Sequence, residues 1–217
     1  MIELHYYPST AAMAPHILLE EIGVPYRHVL VDRPNNAHRS PEYLKLNPNG
    51  LLPLLVDDGL VLYETAAICL HLADRHPGAN LAPALGTDGR SEMYKWLMWM
   101  TNTLQATLII YFYPERWVDE GDGAAGANLS AHAERKVQGL IDQLEGHLAR
   151  HGGPWFMGEH YTLLDAYVLT LCRWTRNFRN SPPARAREHL GPYLQRMLGR
   201  PAVQRVFANE KLAQPFV

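Results

Sequence analysis

Asn47-Pro48-Asn49-Gly50-Leu51-Leu52-Pro53-Leu54-Leu55, followed by Tyr63-Glu64-Thr65-Ala66-Ala67-Ile68, decides how the chain is read. The first four residues are turn formers. Leu52 to Val56 and Leu60 to Leu62 flank Asp57-Asp58-Gly59, the pattern of two short strands joined by a tight hairpin. Glu64 to His76 then reads as a helix, closed by Pro77-Gly78. Toward the N-terminus lie a short helix over Pro41 to Leu46 and a strand over Tyr26 to Val31. Before them come a helix over Ala14 to Ile22, stopped by Gly23, and a first strand from Ile2 to Tyr7, ended by Pro8. The order βαβαββα describes a small sheet with helices on its faces.

Past residue 88 the strand signals cease. A long helical pattern from Thr87 to about Glu120, interrupted by Pro114, is followed by a Gly-rich loop from Gly121 to Ala127. Further helices are expected over Leu129 to Arg150, Thr162 to Arg179, Leu190 to Leu198 and Ala202 to Asn209. The chain therefore divides into an α/β domain at 1–77, a linker at 78–87 and an all-helical domain at 88–217.

The 217 residues carry 20 Lys+Arg against 22 Asp+Glu, a net charge of −2 that gives no global attraction to nucleic acid or anionic membrane. The charge is unevenly shared: residues 1–77 hold 5 basic and 9 acidic side chains, and 78–217 hold 15 and 13. Two cysteines, Cys69 and Cys172, build neither a disulfide scaffold nor a zinc motif, which suits a reducing cytosol. The opening Met1-Ile2-Glu3-Leu4-His5 is unlike a signal peptide, and no apolar run is long enough to span a bilayer.

The order βαβαββα with "NPNGLLPLL" and "YETAAI", together with "GEHYTLLDAYV" at 158–168, resembles the cytosolic glutathione transferase family along essentially the whole chain. The first helix, "APHILLEEIG", is similar to that of bacterial members. The resemblance implies a thioredoxin-like N-terminal domain beside an all-α domain, glutathione as co-substrate without a metal, and a homodimer. It also implies a cis peptide at Pro53, which leaves the N–H and C=O of Leu52 free to pair with glutathione as one more strand; an ordinary trans turn proline is the alternative. At the helix start, Thr65 is expected to bind the γ-glutamyl carboxylate and Glu64 to accept from its ammonium. Simple capping is the alternative there.

The turn Pro8-Ser9-Thr10-Ala11-Ala12-Met13 occupies the place where thioredoxin-like proteins keep redox cysteines. The beta class of the family has a cysteine at the position of Ala11, so its mixed-disulfide chemistry is missing here. Hydroxyl chemistry remains, with Ser9 first as the group that stabilises the glutathione thiolate, Thr10 second and Tyr6 third. The electrophile pocket is expected on the long helix at Gln105, Tyr111, Tyr113 and Trp117, with Gln105 replacing a histidine usual in the beta class. Thr162 and Asp165 match the family's helix-capping signature, a structural role.

Four further signals are assigned bland roles. Gly121 to Gly126 spells GxGxxG but follows a helix, so a loop is expected rather than a dinucleotide site. His147 and His151 share a helical face without an acidic third ligand. Arg173, Arg176 and Arg179 read as a solvated stripe, and Cys69 as inert core. The expected function is glutathione transfer to a small hydrophobic electrophile. Its rivals are glutathione-dependent disulfide or peroxide reduction and a non-catalytic binding or regulatory role on the same fold.

Overall fold

The computed structural model describes residues 1–217. Four strands, β1 (Ile2–Tyr6), β2 (Tyr26–Leu30), β3 (Leu54–Asp57) and β4 (Leu60–Tyr63), form one sheet in the order β2-β1-β3-β4. β1 runs parallel to β2 and antiparallel to β3, with His5 opposite Leu54. Asp58 and Gly59 at the β3–β4 turn both have positive φ (48° and 90°), as a two-residue hairpin with right-twisting strands requires.

Helices α1 (Met13–Ile22), α2 (Pro41–Leu46) and α3 (Thr65–Arg75) complete this half. α1 ends at Gly23, whose φ of 75° lets its N–H reach the Leu19 carbonyl at 2.9 Å. Residues Met13 to Leu19 are buried on every side, because α1 packs against α3 and also against two helices of the other half.

The helical half holds α4 (Asp88–Trp99), α5 (Ala106–Phe112), α6 (Gly123–His151), α7 (Leu163–Trp174), α8 (Leu190–Leu198) and α9 (Pro201–Asn209). α4 and α5 are one continuous helix with a π-helical stretch over Met100–Gln105. It stops at Tyr113, not near Glu120, because the residue before Pro114 is excluded from helical geometry. The expected loop at 121–127 is mostly helix: the Asp122 side chain accepts from the Ala125 N–H at 2.8 Å and starts α6 at Gly123. The element just before Gly121 is a helical turn and not a strand, so the GxGxxG spelling has no βαβ context.

All residues of α7 are buried, and α1 lies directly against it. Its start is a knot around Asp165, which accepts from the N–H groups of Thr162 (2.7 Å) and Phe156 (2.8 Å) and from the Tyr193 hydroxyl (2.8 Å). His147 Nε2 donates to the Phe156 carbonyl (2.7 Å), and its ring packs on Trp96 and Phe156, a core role. Burial pushes the Cys172 thiol up to about 12 and raises that of Cys69 as well, so neither supplies a thiolate. No helix is long and apolar enough to cross a membrane.

Candidate functional site

A cleft of about 350 Å³ opens between the C-terminal end of the sheet and the helical half. Its sheet-side wall is formed by Ser9, Thr10, Leu52, Pro53, Glu64 and Thr65. Gln105, Ile109, Phe112, Tyr113, Trp174 and Arg176 form the helical wall. The residues singled out at the β1–α1 turn, at Leu52-Pro53 and at Glu64-Thr65 thus converge, although they are far apart in sequence.

The Leu52–Pro53 peptide is cis. Sheet pairing begins only at Leu54, and none of the chain's hydrogen bonds uses the N–H or C=O of Leu52. Both groups are thus available for an extended ligand. The preceding turn is fastened by Tyr43, whose hydroxyl donates to the Leu51 carbonyl at 2.8 Å, and by the Asn47 amide at 2.9 Å.

Two non-glycine residues of this wall sit in left-handed backbone geometry, Ser9 at φ 62° and Glu64 at φ 74°. Side chains other than glycine pay steric strain there, and such strain clusters where a side chain or N–H must point at a ligand. Each stands at a junction from strand to helix. Glu64 is exposed while Thr65, the first residue of α3, is buried, and no side chain caps that helix end. The first N–H groups of α3 therefore face the cleft as anion donors.

Ser9 is held from the helical half. Its N–H donates to Glu210 Oε2 at 2.8 Å, and its carbonyl accepts from Trp174 Nε1 at 3.2 Å. Glu210, fully buried at the end of α9, also bonds His16 Nδ1 at 2.9 Å. One carboxylate thereby ties the turn, α1 and the C-terminal helix together. The Thr10 hydroxyl is spent on the turn itself, donating to the Tyr7 carbonyl at 2.7 Å and accepting from the Ala12 N–H. Ser9 Oγ has one hydrogen-bond partner, Arg176 Nη2, which donates to it at 3.5 Å. Tyr6 stacks on His28 at 3.2 Å between centroids, and burial raises its pKa.

On the helical wall the expected residues part company. Gln105 ends the π-helical stretch, and its Oε1 accepts from the Tyr167 hydroxyl. Tyr113 lines the cleft. Trp117 is half exposed and lines a neighbouring recess of about 230 Å³ with Gln105 and Thr65. Tyr111 faces neither; its ring packs on Phe112 and Phe178.

The structure corrects two positions of the arginine stripe and leaves Arg179 exposed, as expected. Arg173 is buried, donates to the Phe216 and Pro215 carbonyls of the C-terminal tail, and is lowered to about 10 by burial. Arg176 points into the cleft, is steadied by the Arg173 carbonyl at 3.0 Å, and is lowered by burial too. With Arg33, Arg39 and Arg116 it brings four guanidinium groups to a cleft whose one acidic side chain is Glu64. None of the four has a carboxylate within 4.0 Å, whereas Arg27, Arg75 and Arg200 do. Burial, then the fields of Arg33, Arg39 and Arg116, lowers the pKa of His38. The three-residue recurrence from Arg173 was the sequence signal for Arg176; nothing in the sequence marked Arg33 or Arg116.

Comparison with known proteins matches the chain, over nearly its whole length, to one family. The family profile described as glutathione S-transferase, N-terminal domain, matches residues 1–74, and that for the C-terminal domain matches 99–201. The chain is 30% identical over 213 residues to glutathione S-transferase GstA of Escherichia coli O157:H7, covering 97% of this chain and 100% of that protein. A glutathione transferase homologue from Sulfitobacter, solved with bound glutathione, superposes with a TM-score of 0.88 at 26% identity, over 98% and 99% of the two chains. A bacterial beta-class glutathione S-transferase from Sphingomonas chungbukensis gives 0.83 at 27%, over 97% and 100%.

Proposed function

The chain belongs to the cytosolic glutathione transferase family, and from that premise we propose that it transfers glutathione to a small electrophile held against its helical wall. The observation that carries this reading is the Ser9 hydroxyl, free of any backbone partner and paired with an unneutralised guanidinium where a ligand's sulfur would lie. The peptide part of glutathione pairs with Leu52, its γ-glutamyl carboxylate sits at the start of α3 by Thr65, and its ammonium faces Glu64. That places the thiol beside Ser9.

A thiol with an ordinary pKa near 8.5 is a few per cent ionised at neutral pH. The Ser9 O–H donates to the sulfur, the Arg176 cation lies against it, and both favour the thiolate. The thiol proton goes to water. The sulfur then forms a bond to the electrophilic carbon as the leaving group departs with its electron pair. Proximity in a cleft shared by both substrates adds to the rate. Residues 1–77 act as the glutathione domain and 88–217 as the electrophile domain, with 78–87 joining them. The exposed Tyr94 and Met98 of α4 support a homodimer.

The test compares wild type with Ser9→Ala on a halogenated nitroarene and on a small disulfide. The expected result is nitroarene turnover that falls about 10²-fold in Ser9→Ala, the loss typical of one oxyanion-type donor, with glutathione affinity retained. Turnover of the disulfide alone overturns the reading in favour of reduction. No change in Ser9→Ala removes Ser9 from the chemistry.

A further inference from the structure

Glutathione does not account for all the positive charge in the cleft. The tripeptide has two carboxylates and one thiolate to be met by cations or N–H groups. In the reading above, the start of α3 takes the γ-glutamyl carboxylate and Arg176 takes the thiolate. Arg39 lies beside the Leu52 edge, its Nη1 donating to the Asn49 carbonyl at 3.2 Å, within reach of the glycyl end. Arg33 and Arg116 are left over.

Those two come from opposite halves and meet on one side chain. Arg33, in the connection after β2, donates from Nη2 to the Tyr113 hydroxyl at 2.7 Å, its guanidinium carbon 5.4 Å from the ring centroid. Arg116, in the turn after α5, stacks over the same ring at 4.1 Å. Neither has a carboxylate partner, so two like charges gather on one side chain at the edge of the cleft, Arg33 at its hydroxyl and Arg116 over its ring. An oxyanion between them removes that repulsion, and the guanidinium fork matches a carboxylate in shape. Ile109 and Phe112 supply the apolar surface beside it.

We propose that the acceptor is an acidic electrophile, its carboxylate or equivalent oxyanion held between Arg33 and Arg116 at Tyr113. This rests on the transferase reading but is separable from it. For a chloronitrobenzoate, the sulfur–carbon bond forms at the ring carbon and chloride leaves with the carbon–chlorine electron pair, while the carboxylate stays unchanged as the handle.

The test pairs 4-chloro-3-nitrobenzoate with 4-chloro-3-nitrobenzamide, each rate divided by its uncatalysed rate with glutathione. Wild type is expected to favour the acid. The Arg33→Gln/Arg116→Gln double variant is expected to lower the acid-to-amide ratio of kcat/KM by about tenfold, and added salt to lower it in wild type. An unchanged ratio in a variant with the wild-type thermal midpoint overturns the proposal. So does a raised KM for glutathione that disappears when the glycyl carboxylate is masked as an ethyl ester, because the arginines then belong to the tripeptide. A calorimetric arm needs no turnover: the benzoate is titrated into protein saturated with S-methylglutathione. Binding to wild type but not to the double variant, without turnover of either acceptor, upholds the anion site and sinks the transferase reading. No binding to wild type sinks the anion site.

Discussion

The two walls of the cleft are built by different means. The sheet-side wall presents main chain: the unpaired N–H and C=O of Leu52, the uncapped start of α3, and two residues, Ser9 and Glu64, turned by positive φ. The helical wall presents side chains, with Gln105 projecting from the π-helical stretch and Tyr113 and Arg176 from turns after helices. A ligand common to a whole family is suited to the first, since backbone donors do not change when side chains do. A ligand that differs between relatives is suited to the second, where each substitution resets shape and charge.

The contrast is broken most severely by removing what holds the helical wall in place. Asp165 is fully buried and receives the Thr162 and Phe156 N–H groups and the Tyr193 hydroxyl, while burial lifts its carboxyl to about 6. Asp165→Ala leaves those donors unsatisfied around a small void. The expected loss is about 3 kcal/mol or more of unfolding free energy, read from urea denaturation. A wild-type midpoint for this variant means that α7, and with it Trp174 and Arg176, is held by apolar packing alone.

A smaller effect is expected where the walls join. Glu210 belongs to the helical half yet fixes the Ser9 N–H and His16. Glu210→Ala frees the turn, so the Ser9 hydroxyl loses its aim while Leu52 and Thr65 stay put. The expected signature is kcat lowered about tenfold, from one unsatisfied buried donor, with little change in the KM for glutathione. Glu210→Gln keeps an acceptor oxygen and recovers part of the loss. A rise in KM with kcat unchanged makes Glu210 a binding residue and removes the positioning role.

What was legible beforehand follows the same division. The Asp58-Gly59 hairpin and the Gly23 stop are written in local chemistry, in residues that tolerate one backbone geometry and not another. Leu52-Pro53 and Glu64-Thr65 stood out through the family resemblance instead, since a proline permits either isomer and a glutamate does not announce a positive φ. The helical wall was legible in part: Gln105 and Tyr113 line the cleft, but helical periodicity says which face is buried and not which neighbour covers it. Tyr111 and Tyr113 stand two residues apart; one packs on Phe178, and the other meets Arg33 from across the cleft and Arg116 from the turn that follows it. The Arg173 stripe failed likewise: charge in a helix usually marks solvent, yet the C-terminal tail folds over Arg173 and leaves Arg176 aimed at Ser9. Glu210 lies some 200 residues from Ser9 (|i−j| = 201), and no sequence spacing announces that contact.

The smallest expected effect is the sharpest statement of the contrast. Leu52 stands at the centre of the sheet-side wall, and its side chain packs with Val31, Tyr43 and Leu54. If glutathione is held by the main chain there, Leu52→Ala costs packing without costing recognition. The unfolding free energy is expected to fall by about 1–2 kcal/mol, less than for truncating a fully buried leucine because Leu52 is only partly buried. The KM for glutathione should stay within about twofold, less than the net worth of one hydrogen bond. Urea denaturation and steady-state kinetics on the same preparation separate the two. A tenfold rise in KM at unchanged stability means that the side chain itself recognises the tripeptide, and the sheet-side wall is then as substitutable as the helical one.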